Sequence, residues 1–133
     1  MSETRSRTCI TEVGTVMVAV SDQDRAIEFY TQKLGFELRG DTPYGEGDRW
    51  VEVAPSGAAT RIALVPPQQG QSVGVPANIG LTSADVDADH AALKEQGVDV
   101  DDVMRMGDPV PPMFFMRDQD GNTLIVVEQG EEG

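Results

Sequence analysis

The chain is poor in the residues from which most catalytic centres are built. Among 133 residues it has one cysteine, Cys9, and one histidine, His90. A lone cysteine excludes a disulfide framework, and with no histidine near it in the sequence Cys9 reads as an inert thiol. A lone imidazole excludes a two-histidine facial triad for iron and leaves little of the nitrogen and sulfur that zinc favours. Aromatic residues make up 5% of the chain, and Trp50 is the single tryptophan. No apolar run reaches the roughly 18 residues that a membrane span needs. Basic residues are scarce as well: 10 Lys and Arg stand against 23 Asp and Glu, a net charge of −13. That balance opposes contact with nucleic-acid phosphates or an anionic bilayer, so neither is expected as a partner. It favours solubility, and it would also draw cationic small molecules toward the surface. The opening MSETRSRTCITEV lacks the apolar core of a secretory signal, which gives a cytoplasmic expectation.

What is present is one plan written twice. TVMVAVSDQDRAIEFYTQKLGF, from Thr15, reads as strand, helix start, helix and helix stop. NIGLTSADVDADHAALKEQGV, from Asn78, repeats those signals about 63 positions later. The length suits a single domain over residues 1–133. It divides into module one (about 14–66), a polar linker (67–76) and module two (about 77–129). Neither half buries a sufficient core alone.

In module one Thr15–Val20 alternates as a strand, with Val16, Val18 and Val20 on one face and Thr15, Met17 and Ala19 on the other. Ser21 is the expected helix cap, with Asp24 as capping-box acid. Ile27, Tyr30 and Leu34 form the apolar stripe, and Gly35 is the stop. Strands are expected at Phe36–Arg39, Trp50–Ala54 and Arg61–Val65, with Gly40–Asp48 as a loop. Module two follows suit. Asn78–Thr82 is a strand, Asp85 caps a helix ended by Gly97, and Val98–Val103 is a strand. Met104–Pro112 is a loop, and Met113–Met116 and Thr123–Glu128 form a hairpin across RDQDGN. The loops Gly40–Asp48 and Met104–Pro112 are candidate lids, with Tyr44 in reach of a ligand.

Three stretches carry a family likeness: VAVSDQDRAIEFYTQKLGFEL, ADVDADHAALKEQGVDV and RDQDGNTLIVVEQ. Through them the chain resembles the vicinal oxygen chelate superfamily, which includes glyoxalase I, bleomycin-resistance proteins and ring-cleaving dioxygenases. The resemblance implies an α+β fold: two βαβββ modules forming a curved mixed sheet around a cup, with helices on the outside. It also implies a homodimer and, in active members, a divalent metal in the cup. The positions that match the family's metal ligands hold Thr15, Asn78 and Ile125. A fourth falls near Ile62 or Ala63, beside Arg61. None offers an imidazole or carboxylate, so no metal, no cofactor and no catalytic residue is assigned.

His90 falls on the inward stripe of the second helix, away from the cup, and is expected to be a satisfied, partly buried histidine. The cup face is expected to carry Thr15, Met17, Trp50, Glu52, Asn78, Phe115 and Ile125 as ligand-binding residues. Trp50 offers a plane for stacking and Glu52 a carboxylate for a ligand amine. The expected function is metal-free binding of a small, largely apolar molecule, cationic or neutral, as in bleomycin-resistance-type proteins. The alternative is a metal-dependent lyase, isomerase or dioxygenase of the same superfamily.

Overall fold

A computed structural model describes residues 8–68 and 70–130. Module one contains β1 (Thr15–Ala19), α1 (Gln23–Glu28, running on into a π turn Phe29–Lys33), β2 (Glu37–Tyr44), β3 (Asp48–Ala54) and β4 (Arg61–Val65). Module two contains β5 (Pro76–Ser83), α2 (Val86–Glu95), β6 (Asp99–Val100), β7 (Met113–Arg117) and β8 (Thr123–Glu128). Each module is one open four-stranded sheet, in the orders β1-β4-β3-β2 and β5-β8-β7-β6. In each, the first strand runs parallel to the last, and the remaining pairings are antiparallel. The α+β architecture read from the sequence is the one observed.

One face of each sheet is apolar and covered by its helix. Val18, Val51, Val53, Ile62 and Leu64 of module one join Phe114, Met116, Leu124 and Val126 of module two in a single buried cluster. Ala26 and Tyr30 enter it from the first helix, Val86 and Leu93 from the second. Each side chain of this size contributes about 1.5–3 kcal/mol when fully buried. His90 behaves as the sequence suggests. Its ring stands edge-on to Phe114, centroids 5.0 Å apart, and its Nε2–H donates to the Asp101 carbonyl at 2.9 Å.

Four local expectations need correction. The first helix is capped by Asp22, whose carboxylate accepts from the N–H groups of Asp24 and Arg25. Ser21, the expected cap, reaches across to module two instead. Asp24 makes no capping box; its carboxylate pairs with Arg49 at 3.0 Å. Gly40–Asp48 is not a free loop: β2 continues to Tyr44 and turns tightly into β3. Pro43, which has no backbone N–H, is tolerated there because β2 is an edge strand with no outer neighbour that needs a donor from it, and Gly40 sits at a register shift. Finally, β6 is only two residues long: aspartate is disfavoured in strands, and Asp102 ends the Val–Asp alternation of residues 98–101.

The two helices differ by one residue. From cap Asp22 to stop Gly35 the first is one longer than the second, from Asp85 to Gly97. The π turn absorbs the extra residue, with the Leu34 N–H bonded back to the Phe29 carbonyl at 3.3 Å. Both stop glycines adopt positive φ, 77° and 84°.

A buried polar clamp ties the halves together. The Tyr30 hydroxyl, fully enclosed, donates to Asp118 Oδ2 at 2.7 Å. Asn122, also enclosed, donates from Nδ2 to Asp118 Oδ2 and to the Ala19 carbonyl, both at 3.0 Å. Its Oδ1 accepts from the linker N–H groups of Gly74 and Val75. Gly74 has φ 78°, and a Cβ there would stand 3.0 Å from the Asp120 carbonyl oxygen, so the linker passes closely only as glycine. On the rim, Ser21 donates its hydroxyl to Asp120 Oδ1 at 2.6 Å and its N–H to Oδ2 at 2.9 Å.

Burial first, then the charge and hydrogen bond of Asp118, push the Tyr30 hydroxyl well above its ordinary pKa of 10.0. The folded chain therefore keeps a proton that the unfolded chain releases. Stability is complete below that pH and falls as the pH rises through and beyond it. Tyr30→Phe is expected to lower stability at neutral pH by about 1–3 kcal/mol, because it leaves a buried acceptor short of a donor. It should also flatten the alkaline decline. Urea unfolding from neutral to strongly alkaline pH reads both effects; equal alkaline slopes in the two proteins would contradict the assignment.

Candidate functional site

The strand registers decide which side chains share the sheet faces turned away from the helices. In module one Met17, Ala63 and Glu52 stand side by side across β1, β4 and β3. Trp50 lies two residues along β3 on the same face, and Thr15 stands beside Arg61. In module two Gly80, Ile125 and Phe115 stand side by side across β5, β8 and β7. The structure thus brings Thr15, Met17, Trp50 and Glu52 onto one face, and Ile125 and Phe115 onto another. Met17 is the most open of them, 62% exposed, and borders a cleft of about 430 Å³ with Ala77 and Asn122. Asn78 borders a different cleft, of about 580 Å³, with Val16, Ile62, Gly80 and Thr82.

Asn78 departs from simple alternation. The register between β5 and β8 shifts between Pro76 and Gly80, and Asn78 itself has φ 57°. Left-handed backbone is uncommon outside glycine, and Asn is among the residues that tolerate it. A bulge of this kind re-aims a side chain locally, so the period-two argument does not fix where Asn78 points.

Glu52 is not a free carboxylate. Only 14% of its side chain is exposed. The Trp50 indole N–H donates to its Oε2 at 2.9 Å, and the Arg61 guanidinium lies 3.5 Å from its Oε1. The indole is held by its edge, and Arg61, itself 46% exposed in its side chain, brings a positive charge to the same face. Sequence reasoning placed Arg61 beside a ligand position without giving it a role. The signal was there in the alternation of β4, which puts Arg61, Ala63 and Val65 on one side. Module two has a related feature: Arg117, on the face of Phe115 and Ile125, donates to Asp101 at 2.8 Å. Hydrogen bonds from Arg117 hold the Asp101 carboxyl below its ordinary range.

The residues do not fit a divalent metal of the kind the fold family uses. Thr15 offers a hydroxyl, Asn78 an amide and Ile125 nothing, while Glu52 is committed to Trp50 and Arg61. Among the described residues no group of three or more His, Cys, Asp or Glu is placed to hold a metal ion.

Comparison with known proteins gives the class. The family model of the glyoxalase/bleomycin resistance protein/dioxygenase superfamily matches residues 12–126, and the chain belongs to that superfamily. Within it, the chain is 34% identical over 124 residues to YetH, an uncharacterised protein of Bacillus subtilis (strain 168), covering 90% of this chain and 99% of that one. Among solved structures it is similar to TnmS3, described as an antibiotic binding protein from Streptomyces sp. CB03234. Identity is 36% and the TM-score 0.83, over 93% of this chain and 100% of that one. A superfamily member from Sphaerobacter thermophilus DSM 20745 is 33% identical with a TM-score of 0.86, over 92% and 100% of the two chains.

Trp50 is the single tryptophan, so its fluorescence reports this face alone. Glu52→Ala removes the acceptor that fixes the indole and is expected to red-shift the emission and increase quenching by acrylamide. An unchanged spectrum would mean that the Trp50–Glu52 bond is not held in solution.

Proposed function

We propose that this chain binds a small, largely apolar aromatic compound on the helix-free sheet faces and sequesters it without a metal. The observation that carries this reading is the Trp50–Glu52–Arg61 group: a half-buried indole, edge-fixed, on an open face with Met17. A fixed plane loses little freedom when a flat ligand stacks on it, so more of the contact energy appears as affinity. Arg61 supplies a donor for an oxygen of the ligand, and withdrawal of Glu52 by its two partners argues against a ligand amine as its main use. TnmS3, with its antibiotic-binding description and 36% identity over 93% of this chain, supports the same class of activity. The poor fit of Thr15, Asn78 and Ile125 to any divalent ion supports binding without one.

The reading includes a second copy of the chain. Met17, on the helix-free face, and Ile10 and Val13, just before β1, are large apolar residues left between 62% and 80% exposed. Faces of this kind are normally covered by a partner or a ligand. Two copies would supply facing sheets, and the compound would lie between them.

Titration with a panel of flat, neutral or anionic aromatic compounds is expected to quench Trp50 and raise the melting temperature. Trp50→Ala should weaken the best binder by roughly tenfold to a hundredfold, equivalent to about 1–3 kcal/mol of lost stacking. Protein purified without chelator should contain far less than one equivalent of metal, and EDTA should leave the affinity unchanged. Light scattering should give the dimer mass. Stoichiometric metal with EDTA-sensitive binding would overturn the reading, as would silence of Trp50 across the panel.

A further inference from the structure

The internal repeat draws attention to a further cavity, between the two modules. Counting from the two N-caps, Asp22 and Asp85, Phe29 and Tyr30 of the first helix are equivalent to Ala92 and Leu93 of the second. The matching strand registers, Val53 beside Ile62 and Met116 beside Leu124, make Pro55 the equivalent of Asp118. Ala19, whose carbonyl takes the Asn122 amide, is likewise equivalent to Thr82. On one side, therefore, two aromatic rings and an aspartate close the space between the modules. On the other side stand an alanine, a leucine and a proline.

The consequence is measurable in the structure. Ala92, Leu93, Pro55 and Thr82 all line one cavity of about 410 Å³ between the modules, floored by Met116 and Val126. Its size falls in the range of small-molecule sites. Across its edge the helix ends are tied: Lys33 Nζ donates to the Gln96 carbonyl at 2.8 Å, and Gln96 Nε2 to the Lys33 carbonyl at 3.3 Å. The bond pair is reciprocal and joins the ends of the two helices beside the cavity.

We propose that this cavity is a second binding site, which takes a neutral, flat aromatic ring system of one or two rings. Its occupant fills the place that the Phe29 and Tyr30 rings fill on the equivalent side. The floor is apolar, which excludes an ion. The rim carries the Gln32 and Gln96 amides and Asp89, so a single polar N–H or O–H on the ring system finds an acceptor there. The site does not depend on the sheet-face reading, because none of its residues is Trp50, Glu52 or Arg61.

Indole is the probe. Met116 is fully buried at the cavity floor, and an aromatic ring seated above it shifts its methyl resonance. In protein with methyl-labelled methionine, indole is expected to move the Met116 signal saturably. Ala92→Phe restores the ring present at Phe29 and should weaken that response at least about tenfold. Leu93→Phe, which restores the ring at Tyr30, should do the same. Trp50→Ala should leave it unchanged, which separates this site from the sheet faces. Melting curves of the filled variants are expected to match or exceed the parent, and if one variant fails to fold the other decides. The proposal fails if Met116 does not respond up to the solubility of indole. It also fails if both filled variants bind as the parent does. A dimer that becomes monomeric in Ala92→Phe would overturn it too, since a second copy would then be what covers the cavity.

Discussion

The fold depends on a fully enclosed tyrosine whose hydroxyl donates a hydrogen bond to a carboxylate on the other half of the chain. Neither module has enough interior to stand by itself, so what joins them determines whether there is a protein at all. Tyr30 reaches Asp118, and Asn122 braces the same carboxylate, the end of β1 and the linker together. Every polar atom in this group that leaves water finds a partner, the condition under which such a network adds rigidity. Because Asp118 and Asn122 lie in the turn between β7 and β8, the clamp also fixes that hairpin, and with it the face that carries Phe115 and Ile125.

Internal repetition makes the two halves comparable, and their differences are where the chemistry has diverged. The helices start from equivalent aspartates and end at equivalent glycines, yet the first contains an extra residue taken up in a π turn. Module one puts Trp50, Glu52 and Arg61 on its helix-free face; the equivalent face of module two has Met113, Phe115 and Thr123. One face carries an edge-bonded indole with a carboxylate and a guanidinium; the other carries Phe115 and Ile125, with Thr123 and Arg117 toward its end. A duplicated fold used symmetrically would not need this contrast, whereas a site recognising an asymmetric compound would.

The sequence was most informative where period and punctuation coincide. Alternation in TVMVAV placed β1, the turn signal of RDQDGN placed the β7–β8 hairpin, Asp85 and Gly97 bounded α2, and the family resemblance supplied how the modules are built. It was least informative at Ser21, Gly40–Asp48 and Asn78. Ser21 looks like a cap, but Asp22 next to it fits that role and a carboxylate ninety-nine residues away claims the hydroxyl. The Gly- and Pro-rich run reads as a loop because the cost of proline in a strand vanishes only at an edge, and edges are not visible in a linear pattern. Asn78 carries a bulge that alternation cannot register. For the candidate site, Trp50 and Glu52 were legible as neighbours on one face. Their mutual bond and the approach of Arg61 were not, since both depend on side-chain geometry and on the pairing of β3 with β4.

The outer margins of the two sheets bear on how the protein avoids its own kind in the wrong arrangement. β2 presents a proline and a register shift to the solvent, and β6 is two residues long with aspartates around it. A foreign extended segment would find neither a continuous ladder of amide groups nor a flat surface on which to lie, and would meet negative charge at one margin. Fibril-like growth by strand addition is thereby discouraged at the β2 and β6 edges.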